Sequence, residues 1–318
     1  MSFIERAVEQ LQQEKASAPA GEPRQRAVAP PTEPRIEPTR PVPDRPGETA
    51  RAMPCRADRR VTVDRGALRG PGLIAPESEE RRLGEEYRLI KRPLLKAMSG
   101  EGAAPLSNVI VVTSAVPGEG KTFTSVNLAL SLALERNREV VLVDGDVAKR
   151  DITRLLKLDD EPGLLDAGGA EARNLEDTIL RTDIPTLYFL PAGNQHVEAT
   201  EILASERMTA LIASLAADPR RIVLIDSPPL LVTSEAGVLA SLAGQVVVVV
   251  KASETPQEIV LRAVETLPED KAVSLVLNQV LSVPERSYGH YGYYGGYGSR
   301  GLERKPEQTS GPAETYPT

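Results

Sequence analysis

The segment VVTSAVPGEGKTFTSVNLAL, residues 111–130, constrains this chain more than any other. An apolar run passes straight into a Gly/Pro loop, and a helix expected over 121–136 begins at once after it. The spacing follows a phosphate-binding loop, Gly-x4-Gly-Lys-Ser/Thr, at Gly120, Lys121 and Thr122, with Ala115 in the first glycine position. Pro117, Gly118, Glu119 and Phe123 complete the candidate phosphate-binding stretch. Gly118 and Gly120 let the backbone turn its amides inward, and the helix N-terminus adds positive potential. Lys121 then suits the β- and γ-phosphate oxygens of a nucleotide such as ATP, and Thr122 suits Mg²⁺. The competing reading is a plain turn ahead of an ordinary helix.

The context favours the phosphate loop. Uninterrupted apolar runs recur at 109–112, 140–143, 222–225 and 246–250, with weaker ones at 187–190 and 273–277. Continuous rather than alternating apolarity, with helical segments between runs, predicts strands buried on both faces of a parallel sheet. The expected fold class is α/β: a doubly wound, mostly parallel sheet of about six strands. A helix expected over 256–266 carries Thr255 as N-cap, Pro256 in its first turn and Glu258 as capping-box partner. Another is expected from residue 83, bent or ended by Pro93.

Two further runs end in acids. VVLVDGD closes on Asp144 and Asp146, and RIVLIDSPP closes on Asp226 ahead of Pro228 and Pro229. Ligands bind beyond the carboxyl ends of strands in open α/β sheets, so all three acids are expected at the chemical edge. Lys121 and Thr122 supply a phosphate clamp; Asp144, Asp146 and Asp226 supply carboxylates for Mg²⁺ or for base work. Asp144 is the candidate base, leaving Thr122, Asp146 and Asp226 for the metal shell.

Composition sets the limits. The 318 residues include 38 Lys+Arg and 45 Asp+Glu, a formal net charge of −7, which counts against nucleic acid as the main partner. One cysteine, Cys55, forms no disulfide framework, and with two histidines it makes no zinc set. No apolar run approaches the roughly 18 residues of a membrane span, and the N-terminus lacks a signal-peptide core; a cytoplasmic protein is expected. Residues 1–16 are expected to form a short amphipathic helix, either a frayed end or a docking element. Residues 17–80, rich in proline and arginine, are expected to be a disordered linker. The folded domain is expected over 81–283, followed by a flexible tail over 284–318. That tail holds Tyr288, Tyr291, Tyr293, Tyr294 and Tyr297, five of the eight tyrosines, among glycines. It reads either as a low-complexity self-association segment or as a cluster of phosphate acceptors.

AVPGEGKT (115–122), VLVDGD (141–146), IVLIDSPP (222–229) and the tyrosine-rich tail together resemble the bacterial tyrosine kinases of polysaccharide export, especially the exosortase-associated tyrosine autokinases. The resemblance spans residues 80–300 and implies a P-loop NTPase fold and a Mg-ATP-dependent protein-tyrosine autokinase acting on its own tail, in control of exopolysaccharide chain length or export. It implies further a homo-oligomeric ring built through a Glu-x2-Arg-x2-Arg helix, here Glu85, Arg88 and Lys91. A separate membrane chain-length-determinant activator, which recruits the kinase to the inner membrane face, and a resetting tyrosine phosphatase are the implied partners. Asn278 is implied to read the adenine edge, unless it is a plain strand-end asparagine. The related positioning ATPases carry a signature lysine where Val116 stands here. They, and a nucleotide-sensing adaptor without kinase activity, are the alternative functions.

Overall fold

The computed structural model describes residues 56–280 except 64, 70–71, 75–76, 100–102 and 170–172. The expected helix at 1–16, most of the linker and the tyrosine tail lie outside the described residues. Eight strands form one sheet: β1 (Arg56–Val61), β2 (Val109–Ser114), β3 (Glu139–Asp144), β4 (Leu180–Thr182), β5 (Leu187–Leu190), β6 (Arg221–Asp226), β7 (Gln245–Lys251) and β8 (Ala272–Asn278). Their order is β1-β4-β5-β3-β6-β2-β7-β8. Every pairing is parallel except β4 with β5, which is antiparallel. The expected doubly wound, mostly parallel sheet is therefore present, with two strands more than the apolar runs indicated. β4 is three residues long and β1 is arginine-rich, so neither produces an apolar run. Within the linker expected over 17–80, residues 56–61 form β1, which pairs with β4 at the sheet edge.

The described α-helices are α1 (Arg65–Arg69), α2 (Glu80–Ala97), α3 (Lys121–Leu132), α4 (Asp151–Leu155), α5 (Leu164–Gly168), α6 (Ala199–Leu203), α7 (Glu206–Leu215), α8 (Ser234–Leu242) and α9 (Gln257–Glu265). α2 runs through Pro93 rather than stopping there. α3 is shorter than expected and ends at Leu132.

The continuous apolar runs divide by residue parity between two covered faces. Val109, Val111, Val141, Val143, Val223 and Ile225 pack against residues of α5, α7 and α8, including Leu165, Met208 and Leu239. Ile110, Val112, Val140, Leu142, Ile222 and Leu224 face the other way, onto Leu94 of α2 and Val126, Leu128 and Leu132 of α3. Each such buried side chain contributes about 1.5–3 kcal/mol relative to exposure, so these strands have no tolerable solvent face. β8 differs. It is the edge strand, and Leu275 and Leu277 remain 58% and 64% exposed.

This register assembles the site. β3 and β6 pair with Asp144 opposite Asp226, and β6 pairs with β2 so that Asp226 stands opposite Val112, just before the loop. Two residues more than 80 positions apart in sequence thus end adjacent strands at one edge.

Candidate active site at the carboxyl edge of the sheet

The loop after β2 turns through two left-handed glycines, Gly118 (φ +86°) and Gly120 (φ +92°). At Gly120 a Cβ would also lie 2.0 Å from Asn278 Nδ2, so a side chain there would be strained and would displace the Asn278 amide. Pro117 and Gly118 are exposed at the rim, while Lys121 and Thr122 begin α3 and are buried. Phe123, half-buried, follows on the first turn.

Lys121 Nζ donates to Asp146 Oδ2 at 2.8 Å, a pair with both side chains almost fully enclosed. Burial pulls the ammonium downward, but the carboxylates of Asp226 and Asp146 outweigh it and hold the group above its usual value. Thr122 Oγ1 donates to Asp226 Oδ2 at 2.8 Å, and Ser125 Oγ donates to Asp226 Oδ1, also at 2.8 Å. Asp226 is completely buried; that desolvation raises its carboxyl against the opposing effect of Lys121 and the two hydroxyls.

Asp144 is held on one side only. Its Oδ2 accepts from Thr153 N at 2.8 Å and from Thr153 Oγ1 at 2.7 Å. Its Oδ1 is buried without a hydrogen-bond partner. Thr153 Oγ1 in turn accepts from Ala192 N, just past β5. Burial first, then the charge of Asp226 opposite, pushes the Asp144 carboxyl up to about 7.

The structure therefore brings Lys121, Thr122, Asp144, Asp146 and Asp226 into one buried cluster. The carboxylates of Asp226 and Asp146 act on the Lys121 ammonium, and one oxygen of Asp144 beside them is orphaned. This excess of hard oxygen donors fits a divalent cation. Among the described residues no three acids or histidines are disposed to enclose a metal by themselves. Mg²⁺ sites are commonly completed by phosphate oxygens and water, and Thr122, Asp226 and Asp146 are the residues to hold such an ion here. Beside the loop lies a cavity of about 250 Å³ lined by Val116, Pro117, Glu119, Lys251, Thr255 and Ile259.

Three hydroxyl residues escape the sequence motifs. Ser125 is within reach of sequence reasoning, because three residues after Thr122 it returns to the same helix face. Thr153, beyond a turn after β3, carries no sequence signal. Thr255 does not cap α9 as expected. That helix is preceded by Pro256 without a side-chain cap, and the Thr255 hydroxyl donates instead to Glu119 Oε1 at 2.6 Å. Asn278 donates through Nδ2 to the Glu119 carbonyl at 2.9 Å, so it contacts the loop backbone directly.

The expected subunit-contact triplet is not brought together. Glu85 and Arg88 are exposed and pair with each other on α2. Lys91 is buried and turned into its own domain, donating to Ser131 O at 2.8 Å and pairing with Glu135 at 2.7 Å. It is an internal tie between α2 and the end of α3. Lys91→Ala is expected to lower the unfolding free energy by about 1–3 kcal/mol, whereas Arg88→Ala, on an exposed pair, changes it by less than about 1 kcal/mol. Urea denaturation of the two variants checks the order; the reverse order would sink this placement of Lys91.

The parallel sheet, the glycine-lysine-threonine loop and the acids on the two adjacent strands define a nucleotide-binding P-loop ATPase fold. The AAA domain family matches residues 107–275, more than half of the chain. The chain is 34% identical over 183 residues to the putative tyrosine-protein kinase EpsB of Ralstonia nicotianae, covering 58% of this chain and 23% of EpsB. It is 30% identical over 202 residues to the tyrosine-protein kinase CpsD of Streptococcus agalactiae, covering 63% of this chain and 85% of CpsD. Among solved structures, the BceF tyrosine kinase domain superposes with a TM-score of 0.54 at 26% identity, covering 67% of this chain and 86% of that one. The chain belongs to the AAA domain family and, within it, to the bacterial tyrosine-protein kinases. It spans about a quarter of the length of the first curated relatives it matches. Among the described residues no helix is long and apolar enough to cross a membrane.

Proposed function

We propose that this chain is a Mg-ATP-dependent protein-tyrosine kinase that phosphorylates Tyr288, Tyr291, Tyr293, Tyr294 and Tyr297 of its own tail, on a neighbouring copy. The observation that carries this reading is Asp144. It is a buried carboxylate at the carboxyl edge of the sheet opposite Asp226, one oxygen fixed by Thr153 and the other unpaired. A general base for a tyrosine hydroxyl needs a free oxygen within hydrogen-bond reach and a pKa near the working pH, and burial raises Asp144 to about 7.

The geometry supports the remaining roles. Lys121 and the loop amides bind phosphate oxygens, and Asp146 orients the Lys121 ammonium. Asp226 fixes the Thr122 hydroxyl, with Ser125 locking its other oxygen. Magnesium, when bound, neutralises charge developing on the transferred phosphoryl group. The transition state needs positioning and electrostatic stabilisation rather than covalent help from the protein. The cavity beside the loop is assigned to the nucleoside, and Asn278 bonds the loop backbone at Glu119.

The resemblance supports a ring of copies, which we place on Glu85 and Arg88 without Lys91. It also supports a membrane-bound activator that recruits the kinase to the inner face of the membrane, a tyrosine phosphatase, and control of exopolysaccharide chain length or export. Each tail phosphate adds about −1.5 to −2 charge, so a phosphorylated ring repels itself and comes apart until the phosphatase resets it.

Val116 separates this reading from a positioning ATPase, since it stands where those relatives carry a lysine. Incubation of the full chain with Mg-ATP followed by phosphotyrosine mass spectrometry tests the proposal. Phosphate on tail tyrosines, lost in Lys121→Met, is the expected result. Orthophosphate release with an unmodified tail identifies a positioning ATPase and overturns it; neither activity identifies a nucleotide-sensing adaptor and overturns it equally.

A further inference from the structure

Glu119 lies in the middle of the phosphate loop, where a carboxylate facing outward would repel the very anion the loop is shaped to receive. Its side chain does the opposite. It is 1% exposed, and its carboxylate accepts from Val116 N at 2.8 Å, Lys251 N at 3.3 Å and Thr255 Oγ1 at 2.6 Å. Its backbone carbonyl accepts from Asn278 Nδ2 at 2.9 Å. One residue of the loop is thereby bonded to the loop's own start, to the end of β7, to the residue before Pro256, and to the end of β8.

The flanking glycines explain why such a strut is needed. Gly118 and Gly120 allow the left-handed turns, but glycine also has the most backbone freedom to lose on ordering. A loop with glycine on both sides of Glu119 would sample many shapes in which its amides do not converge. Ordering it at the moment of binding would weaken affinity, whereas a loop already held in shape does not incur that cost.

We propose that the Glu119 side chain is a strut and not a nucleotide ligand, and that Thr255, outside the nucleotide-binding motifs, is a positioning residue that presets the phosphate loop through Glu119. The strut also ties the loop to the wall of the adjoining cavity, because Glu119, Lys251 and Thr255 all line it. A nucleoside in that cavity and its phosphates on the loop are thus held by one connected set of bonds. The inference needs nucleotide binding only and stands whether or not the chain transfers phosphate to tyrosine.

Affinity for Mg-ADP, measured by calorimetry on the full chain, tests it. Thr255→Val keeps the shape and loses the hydroxyl; binding is expected to weaken about tenfold, the effect of removing one hydrogen bond to a buried charged group. Thr255→Ser keeps the hydroxyl and is expected to stay within about threefold of the unmodified protein. Thr255→Asp separates the strut from an ordinary helix cap. Aspartate is a good N-cap, so a capping role predicts preserved or tighter binding. A strut predicts binding weaker than in Thr255→Val, because a second carboxylate then faces Glu119. Mg-ADP affinity in Thr255→Val within twofold of the unmodified protein, or binding in Thr255→Asp as tight as in Thr255→Val or tighter, overturns the proposal.

Discussion

Asp144→Asn is expected to stop phosphotransfer and, at pH 8, to make the folded protein more stable. The two effects have one cause. Asp144 has no solvent exposure, and burial together with Asp226 raises its carboxyl from 3.8 to about 7. A group whose folded pKa lies above its unfolded value binds its proton more tightly in the folded state. Its favourable contribution is complete below about pH 4 and is lost as pH rises toward 7; above that the ionised form opposes folding. A shift of this size corresponds to something on the order of 4 kcal/mol, reduced in the variant by weaker bonds from Thr153. Urea denaturation is expected to show little difference between the two proteins near pH 4 and a clear advantage for Asp144→Asn at pH 8. The catalytic loss, read as the rate of tail phosphorylation at saturating Mg-ATP, is expected to be about 10²–10⁴-fold, the usual contribution of a general base. Equal stability at pH 8 would exclude the buried, uncompensated state of Asp144. An unchanged rate would remove it from the base role.

Lys121→Met is expected to weaken Mg-ADP binding by more than about a hundredfold and to destabilise the apo protein by about 3 kcal/mol, in the range for breaking a buried ion pair. Lys121 is the ammonium set against Asp226 and Asp146, and its bond to Asp146 is buried. Without it, carboxylates face one another in a low-dielectric site, and relief comes only from protonation. The stability loss should therefore shrink as pH falls toward 4. Lys121→Arg is not expected to restore binding, because a planar guanidinium does not replace a compact ammonium in an enclosed site. A Lys121→Met protein that melts like the unmodified one at pH 8 and still binds Mg-ADP would contradict this account of the cluster.

Much of the site is legible in the sequence because its parts are local. Gly120, Lys121 and Thr122 are adjacent, and their meaning depends only on a strand before and a helix after. Asp144 and Asp226 can be placed because each ends a continuous apolar run, and such runs make parallel strands whose carboxyl ends share one edge. β1 and β4 are not legible. One is charged and the other short, so their buried Val61 and Leu180 form no apolar run. β8 is legible as a strand, but its exposed leucines follow only from its position at the sheet edge.

Side-chain direction is the other blind spot. The spacing of Glu85, Arg88 and Lys91 places them along one helix, but the end of α3 draws Lys91 inward through Ser131 and Glu135. Thr255 precedes a proline and an acid in a sequence suited to capping, yet its hydroxyl finds a stronger acceptor in the buried carboxylate of Glu119.

The sequence by itself determined that this chain builds a parallel sheet, carries a phosphate loop on its first long apolar strand, and ends two other strands in acids, since these rest on local propensity and periodicity. Only the tertiary structure decided that Asp144 keeps one free oxygen, that the Glu119 carboxylate turns to Val116, Lys251 and Thr255, and that Lys91 is an internal tie. Each of those outcomes is set by β-register and by hydrogen-bond partners between 3 and 159 positions away, and competition among such partners leaves no periodic trace in the chain.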